Sequence, residues 1–419
     1  MNCQEYLSGF NETIHSRTVG REAEIPLIWT EGYTSGDAAL LWDLFSDDPE
    51  WPKLYDDTHI DVCLGVKNRS NGWTITTDAG PGIVEAISPP CQNLFEMNDG
   101  FGAVMRILRD KAATVGMCLL GYGAQPITRG AKNLWVKKGR YAALMAALGD
   151  EFVNDATVVA SDQCHVSIAR NELVQAVNVM NALAGPMIAL TANSSISYGS
   201  PNGYLAWREQ FWDRFNGFDG QVGIPKYWFA DIDSWLDYLL SQRFIMRKAS
   251  PGVYEPRGET FREFMKRSVV SDSDFLCHEG CCWWDARPRR PYSTIEVRPA
   301  CQQPPNENMV VQALTLGLVN NLNAAEAIVN RWGYETLKRY RFEAIRRGLA
   351  AELGDRLAIP LLEDVLSAAD EGLRSRGLNE EVFLQPLFRR LANKRLPANT
   401  AIHIWLRGGA RKFVNYFKY

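Results

Sequence analysis

Acidic and basic side chains recur two residues apart in several short stretches of this sequence that are otherwise rich in β-branched and apolar residues. In Gly20-Arg21-Glu22-Ala23-Glu24-Ile25-Pro26, a strand's period of two puts Glu22 and Glu24 on one face, with Ala23 and Ile25 on the other. In Thr294-Ile295-Glu296-Val297-Arg298, Glu296 and Arg298 share a face while Ile295 and Val297 take the core side. Gln163, His165 and Ser167 form a third polar face, and Asp78 and Glu85 place two more carboxylates close to a strand. Taken singly, such alternation usually means a solvated sheet face. Solvated faces mix Lys, Thr, Ser and Gln, however, and here each face carries Glu, Asp, His or Arg. Carboxylates brought together repel and take up protons unless cations neutralise them. Hard oxygen donors suit magnesium, with manganese as the alternative, and such ions can hold nucleotide phosphates. There is no Gly-x-x-x-x-Gly-Lys-Ser/Thr loop, and Gly121-Tyr122-Gly123 lacks the third glycine of a dinucleotide fingerprint. Phosphate chemistry here would therefore rest on metals and arginines.

The elements that must position these residues follow from periodicity. Thr18–Trp29 and Gly72–Ser88 read as strands, the second folded at Asp78-Ala79-Gly80-Pro81-Gly82, and Val158–Ile168 and Arg289–Pro299 as further strands. Gly100–Thr114 has helical spacing, and Asn171–Leu190 reads as one long buried helix with Asn171 as its cap. Thr191–Trp212, rich in Asn, Ser, Gly and Tyr, reads as a binding loop. Beyond about residue 305 the texture is helical: Met309–Trp332, Glu335–Leu353, Pro360–Arg376, Asn379–Lys394 and a last segment from Pro397. The expected organisation is an α/β body over 1–305 and a helical region over 306–419, either packed on it as one domain or separate.

Composition narrows the class. The 419 residues, 46% hydrophobic and 22% charged, can bury a sizeable core and exclude disordered and collagen-like chains. A net charge of −4 argues against nucleic acid as the main partner. No run of 18 apolar residues occurs and no signal peptide is visible, so a cytoplasmic protein away from the membrane is expected. Nine cysteines, an odd and modest count, fit reduced thiols.

At the charged strands the sequence resembles the glutamate–cysteine ligases and the wider carboxylate–amine ligase family, in the branch shared by plants and bacteria. The matching motifs, in order, are Gly20-Arg21-Glu22-Ala23-Glu24, Thr76-Thr77-Asp78 with Glu85, Gln163-Cys164-His165-Val166, Asn202-Gly203-Tyr204-Leu205-Ala206-Trp207-Arg208 with Trp212, and Thr294-Ile295-Glu296-Val297-Arg298. His278, nine residues before Arg287, matches a spacing in the same branch, and the likeness runs from residue 20 to about 405. The resemblance implies an α+β fold: an antiparallel sheet curled into a glutamine synthetase-like funnel, surrounded by helices. It implies that Glu22, Glu24, Asp78, Glu85 and Glu296 ligate metal, with His165 beside a metal or the substrate. Arg298 would contact the γ-phosphate and the forming acyl phosphate, making Arg298 and Glu296 the catalytic pair. Arg208, Gln163, Arg287, His278 and Trp212 would bind substrate or ATP. The implied reaction activates a carboxylate with ATP and magnesium and passes it to an amine, most simply joining the γ-carboxylate of glutamate to cysteine or another amino acid.

Two departures leave the amine open. Pro299-Ala300-Cys301-Gln302-Gln303-Pro304 stands where glutathione-pathway relatives often have an Asp, and Cys277-His278-Glu279-Gly280-Cys281-Cys282 is unusually thiol-rich. The same cysteines could be read as a soft-metal site, although adjacent Cys281 and Cys282 are poor joint ligands of one tetrahedral ion. The alternatives are a ligase of specialised metabolism with a different acid and amine, and a non-catalytic member that binds nucleotide or amino acid. The charged helices after residue 333 read as solvated faces, with a homodimer contact left open.

Overall fold

In the computed structural model, which describes residues 3–148, 154–214, 218 and 220–419, the first charged stretch lies on an eleven-residue strand, β1 (Val19–Trp29), in the middle of a nine-stranded sheet. The other strands are β2 (Lys53–Tyr55), β3 (Cys63–Lys67), β4 (Thr74–Thr77), β5 (Ile83–Ile87), β6 (Met117–Leu119), β7 (Asp162–Ser167), β8 (Ala286–Arg289) and β9 (Thr294–Val297). They run in the order β8-β9-β7-β1-β5-β4-β3-β2, with β6 on the far end of β1, and every pairing is antiparallel. The α+β class expected from the sequence is the class the chain adopts.

The alternation in sequence becomes two faces. Ala23, Ile25, Ile75, Val84 and Ala86 bury against the helix Leu94–Thr114 through Phe101, Val104, Met105 and Leu108. Cys164, Val166, Ile295 and Val297 bury against helices that include Leu173–Ala182 and Val310–Asn320. One ion pair interrupts this apolar side. Arg21 grips Asp162 through two hydrogen bonds of 2.8 Å, both side chains fully buried, with Phe101 under the guanidinium at 3.9 Å. The turn between β4 and β5 needs glycine for space, since a Cβ on Gly80 would stand 2.0 Å from the Thr157 carbonyl. That close approach fixes Asp78 at the rim of the charged face.

The long helix expected over Asn171–Leu190 is two helices, Leu173–Ala182 and Ala184–Thr191, bent by 50°. Pro186 lies in the first turn of the second, where its missing amide costs no hydrogen bond. Asn171 is not the cap; the Glu172 carboxylate accepts the Ala169 amide at 2.8 Å instead. Among the described residues, no single helix is long and apolar enough to cross a membrane. Past residue 305, the expected run Met309–Trp332 divides at Asn321, and Glu335–Leu353 stops at Arg347, where Gly348 turns the chain into a short hairpin. These helices belong to the same hydrophobic cluster as the sheet's underside, which extends from Tyr6 to Ala398.

Candidate functional site

Residues opposite each other in an antiparallel ladder share a face. The register sets Glu22 opposite Gln163, Glu24 opposite Glu85, His165 opposite Glu296, and Glu296 opposite Arg287. This face floors a cavity of about 450 Å³ lined by Glu22, Glu24, Asp78, Glu85, Gln163, Arg287 and Arg298 from the sheet side, with Arg208 and Trp212 contributed by the loop after Thr191. Apolar groups close the opposite wall: Leu144, Phe211, Met246, Trp283 and their neighbours. Trp212 stacks with Trp283 at 6.2 Å, and the Arg298 guanidinium lies 5.9 Å above the Trp212 ring.

Three of the cavity's arginines converge on one carboxylate. Arg287 makes a two-pronged contact to the fully buried Glu296, both hydrogen bonds 3.0 Å, and donates to the carbonyls of Gly280 and Cys282. Arg289 is 3.3 Å from the same carboxylate, and Arg298 pairs with it while also donating to Oε1 of the Gln163 side chain. Burial pushes the Glu296 carboxyl up, but Arg287, Arg298 and Arg289 outweigh it and hold the group well below the usual carboxylate range. Its charge is thus already shared among three guanidiniums. Burial likewise lowers Arg287 to about 10, with Glu296 opposing.

The remaining carboxylates of the cavity raise one another. Glu24 accepts the Ser161 amide at 2.6 Å and the Gln163 amide at 2.9 Å, yet burial and Asp78 raise it to about 7. Burial and the charges of Glu22, Asp78 and Glu24 lift Glu85 well above its usual range. Glu22 goes the other way: burial raises it, but the charge and hydrogen bond of His165 lower it overall. His165 Nε2 is 3.0 Å from Glu22 and Nδ1 3.2 Å from Thr294. Glu22, His165 and Glu296 offer ligand atoms within 4.8 Å of one another, the one such group among the described residues. Buried carboxylates that raise one another further are suited to a divalent cation, so the donor set fits magnesium by charge and by oxygen chemistry.

This excess charge has a measurable consequence. Glu24 would release its proton near 4.5 when unfolded and near 7 when folded, so the unfolded state gains relative to the metal-free fold as pH rises across that window. Glu85 extends the trend upward. The metal-free protein is expected to melt at progressively lower temperature from about pH 5 to about pH 8, while stabilisation by added magnesium grows over the same range. Thermal melts with and without the ion check this, and a magnesium increment independent of pH would contradict it.

His278 is not in the site. Its ring is buried in the core, stacked on Phe261 at 4.4 Å with Nε2 2.8 Å from the Leu239 carbonyl, and burial lowers it to about 4. The thiol-metal reading fails with it, since no group of cysteine and histidine ligand atoms comes together among the described residues. All nine cysteines are free; Cys277 and Cys281 line the cavity, and burial raises Cys281 to about 12, keeping it a neutral thiol.

Three groups here were not singled out in the sequence. Tyr141 donates to Asp78 at 3.2 Å, Lys138 donates to the Thr77 carbonyl, and Arg140 reaches into the cavity beside Tyr141. Burial lowers Lys138 to about 8, opposed by Asp78 and Glu85. The run Lys137-Lys138-Gly139-Arg140-Tyr141 was their one visible signal, a basic and aromatic cluster at the start of the helix Gly139–Leu148.

Against known proteins, the model of glutamate–cysteine ligase family 2 matches residues 18–404. The chloroplastic glutamate–cysteine ligase of Solanum lycopersicum is 23% identical over 376 residues, covering 85% of this chain and 69% of that protein. Its counterpart in Arabidopsis thaliana is 24% identical over 377 residues with the same coverage. Among solved structures, a glutamate–cysteine ligase of Francisella tularensis in complex with AMP is similar at a TM-score of 0.56 and 10% identity, covering 97% of this chain and 88% of that one. A bifunctional glutathione synthetase of Pasteurella multocida is similar at a TM-score of 0.54, covering 95% of this chain and 51% of that one, again at 10% identity.

Proposed function

The chain belongs to glutamate–cysteine ligase family 2, and from that premise we propose that this ATP-dependent ligase forms a C–N bond by way of an acyl phosphate. The acid is glutamate through its γ-carboxylate, and the amine is cysteine or another amino acid. One observation carries the reading: four carboxylates, Glu22, Glu24, Asp78 and Glu85, and three arginines, Arg287, Arg289 and Arg298, line a single cavity. A cation-bound triphosphate complements both sets of charge at once.

In the first step a carboxylate oxygen of the acid attacks the γ-phosphorus of ATP and ADP leaves. In the second, the amine nitrogen attacks the acyl carbon, the C–O bond to phosphate breaks, and inorganic phosphate departs with the amide formed. Magnesium, with manganese as an alternative, would be held by Glu22, Glu24, Asp78 and Glu85, with His165 beside it; it would neutralise phosphate charge as it develops. Arg298, oriented by Glu296 and Gln163, meets the transferring phosphoryl group, and Arg208 takes the free carboxylate of the acid. Arg287 and Arg289 keep Glu296 ionised and fix the row in place. The apolar wall and the Trp212–Trp283 pair exclude water, which would otherwise hydrolyse the acyl phosphate.

Two expected results test this. Screening amino-acid pairs with ATP and magnesium should give amine-dependent phosphate release, with the amide identified by mass. Nucleotide binding with no release for any pair would favour a non-catalytic binding protein. Glu22→Gln should shift the magnesium titration of activity to higher concentration; an unchanged curve would remove Glu22 from the cation site.

A further inference from the structure

The guanidinium of Arg208 is held from behind by a closed ring of buried charge. Arg208 pairs with Glu209 and donates from Nη1 to the Arg298 carbonyl at 3.0 Å. Glu209 lies 3.5 Å from Nη2 of Arg341, whose Nε donates to Asp285 at 2.6 Å and Nη2 to the same carboxylate at 3.3 Å. The ring closes through the backbone, where the Arg298 N–H donates to the Asp285 carbonyl at 2.8 Å. The four charged residues are between 0% and 3% exposed, and their charges cancel.

Networks of this kind do little for stability, because apolar groups of equal volume commonly serve as well or better. What they supply is fixed geometry, since a planar guanidinium fork accepts only a narrow set of partner positions. A second set of contacts points the same way. The N–H groups of Leu205 and Ala206 both donate to the Ile345 carbonyl, at 3.2 and 3.0 Å, so the loop before Arg208 is fastened to the same helix, Tyr334–Arg347, that carries Arg341. The Arg341 guanidinium also packs beside Gly223, where φ is +66° and a Cβ would stand 3.6 Å from its Cζ.

We propose that Arg341, acting through Glu209 and Asp285, is a positioning residue for the ligase site. It presets the Arg208 guanidinium and the backbone that carries Arg298, and it touches no substrate. The inference rests on the ligase reading above, which assigns those two arginines to the acid's carboxylate and to the developing phosphate charge.

The test is steady-state kinetics on the full chain with its best acid and amine. In Arg341→Met, kcat falls and KM for the acid rises, each by about tenfold or more, since a displacement of about 1 Å can cost up to about 100-fold. KM for ATP stays near wild type, and Arg341→Lys, which restores charge without the fork, recovers part of the loss. Glu209→Gln keeps the side-chain shape while removing the counter-charge, and shows the same rise in acid KM should Arg341→Met not fold. A folded Arg341→Met or Glu209→Gln with wild-type kcat and acid KM, changed only in melting temperature, overturns the inference and leaves the ligase reading standing. A wild-type chain that releases no phosphate with any pair overturns the ligase reading itself.

Discussion

Replacing Arg298 by Ala is expected to lower kcat by about 10²–10³-fold while the protein folds and melts nearly as wild type. The catalytic part follows from preorganisation. Arg298 is held by Glu296 and Gln163 in the cavity that the carboxylates also line, so under the proposed reaction it would meet developing phosphate charge without reorganising, and one such donor is worth about 3–4 kcal/mol. The structural part follows from what remains. Glu296 keeps its two hydrogen bonds to Arg287 and its contact with Arg289, so no buried charge is stranded. Turnover close to wild type with the true amine would refute the role; a collapse in melting temperature would show that the arginine is structural. Circular dichroism melts beside the kinetics separate the two.

Glu296→Gln is expected to do the opposite: lose the fold first and activity with it. Its carboxylate is fully buried beneath three guanidiniums. Removing the one anion leaves cations stranded in a low-dielectric setting, a change that typically costs about 3–5 kcal/mol. Much of a domain's net stability, about 5–15 kcal/mol, would go. Urea titration of the two proteins reads the difference. The pH dependence has a definite sign as well. A carboxylate held below its usual range stabilises the fold above its unfolded pKa and loses that contribution as pH falls. Wild type should therefore lose more stability on acidification than Glu296→Gln does. A variant as stable as wild type would mean that the three arginines do not depend on this carboxylate.

The contrast between the two variants bears on how the site reads from sequence. Glu22 with Glu24, Gln163 with His165, and Glu296 with Arg298 are each legible as sharing a face, because a strand's period of two leaves no freedom about which side a residue takes. The cross-strand register is what joins the three faces into one. What parity cannot carry is the partner of each charge. Glu296 reads as one more metal ligand in a list of carboxylates, whereas the fold surrounds it with arginines from β8 and the end of β9. His278 reads as a site residue for a related reason. On the helix Asp272–Gly280 the buried stripe holds Asp274, Phe275, His278 and Glu279, while Cys277 and Gly280 turn to the cavity. The spacing to Arg287 says nothing about which side of a helix faces in. Lys138, Arg140 and Tyr141 were missed because they sit outside the strands and reach the carboxylates through long-range closure onto Thr77 and Asp78. The Arg341 ring is further still from any local pattern, since Arg341 meets Asp285 across 56 residues of sequence and Glu209 across still more.

The account turns on a carboxylate activated as an acyl phosphate, and isotope transfer tests that most directly. Glutamate labelled with ¹⁸O in its γ-carboxylate is turned over with ATP, magnesium and the amine found by screening, and the nucleotide and phosphate products are analysed by mass. Attack of the carboxylate on the γ-phosphorus predicts ADP, with one ¹⁸O carried into inorganic phosphate for each amide formed. Unlabelled phosphate, or label appearing in AMP, would contradict it.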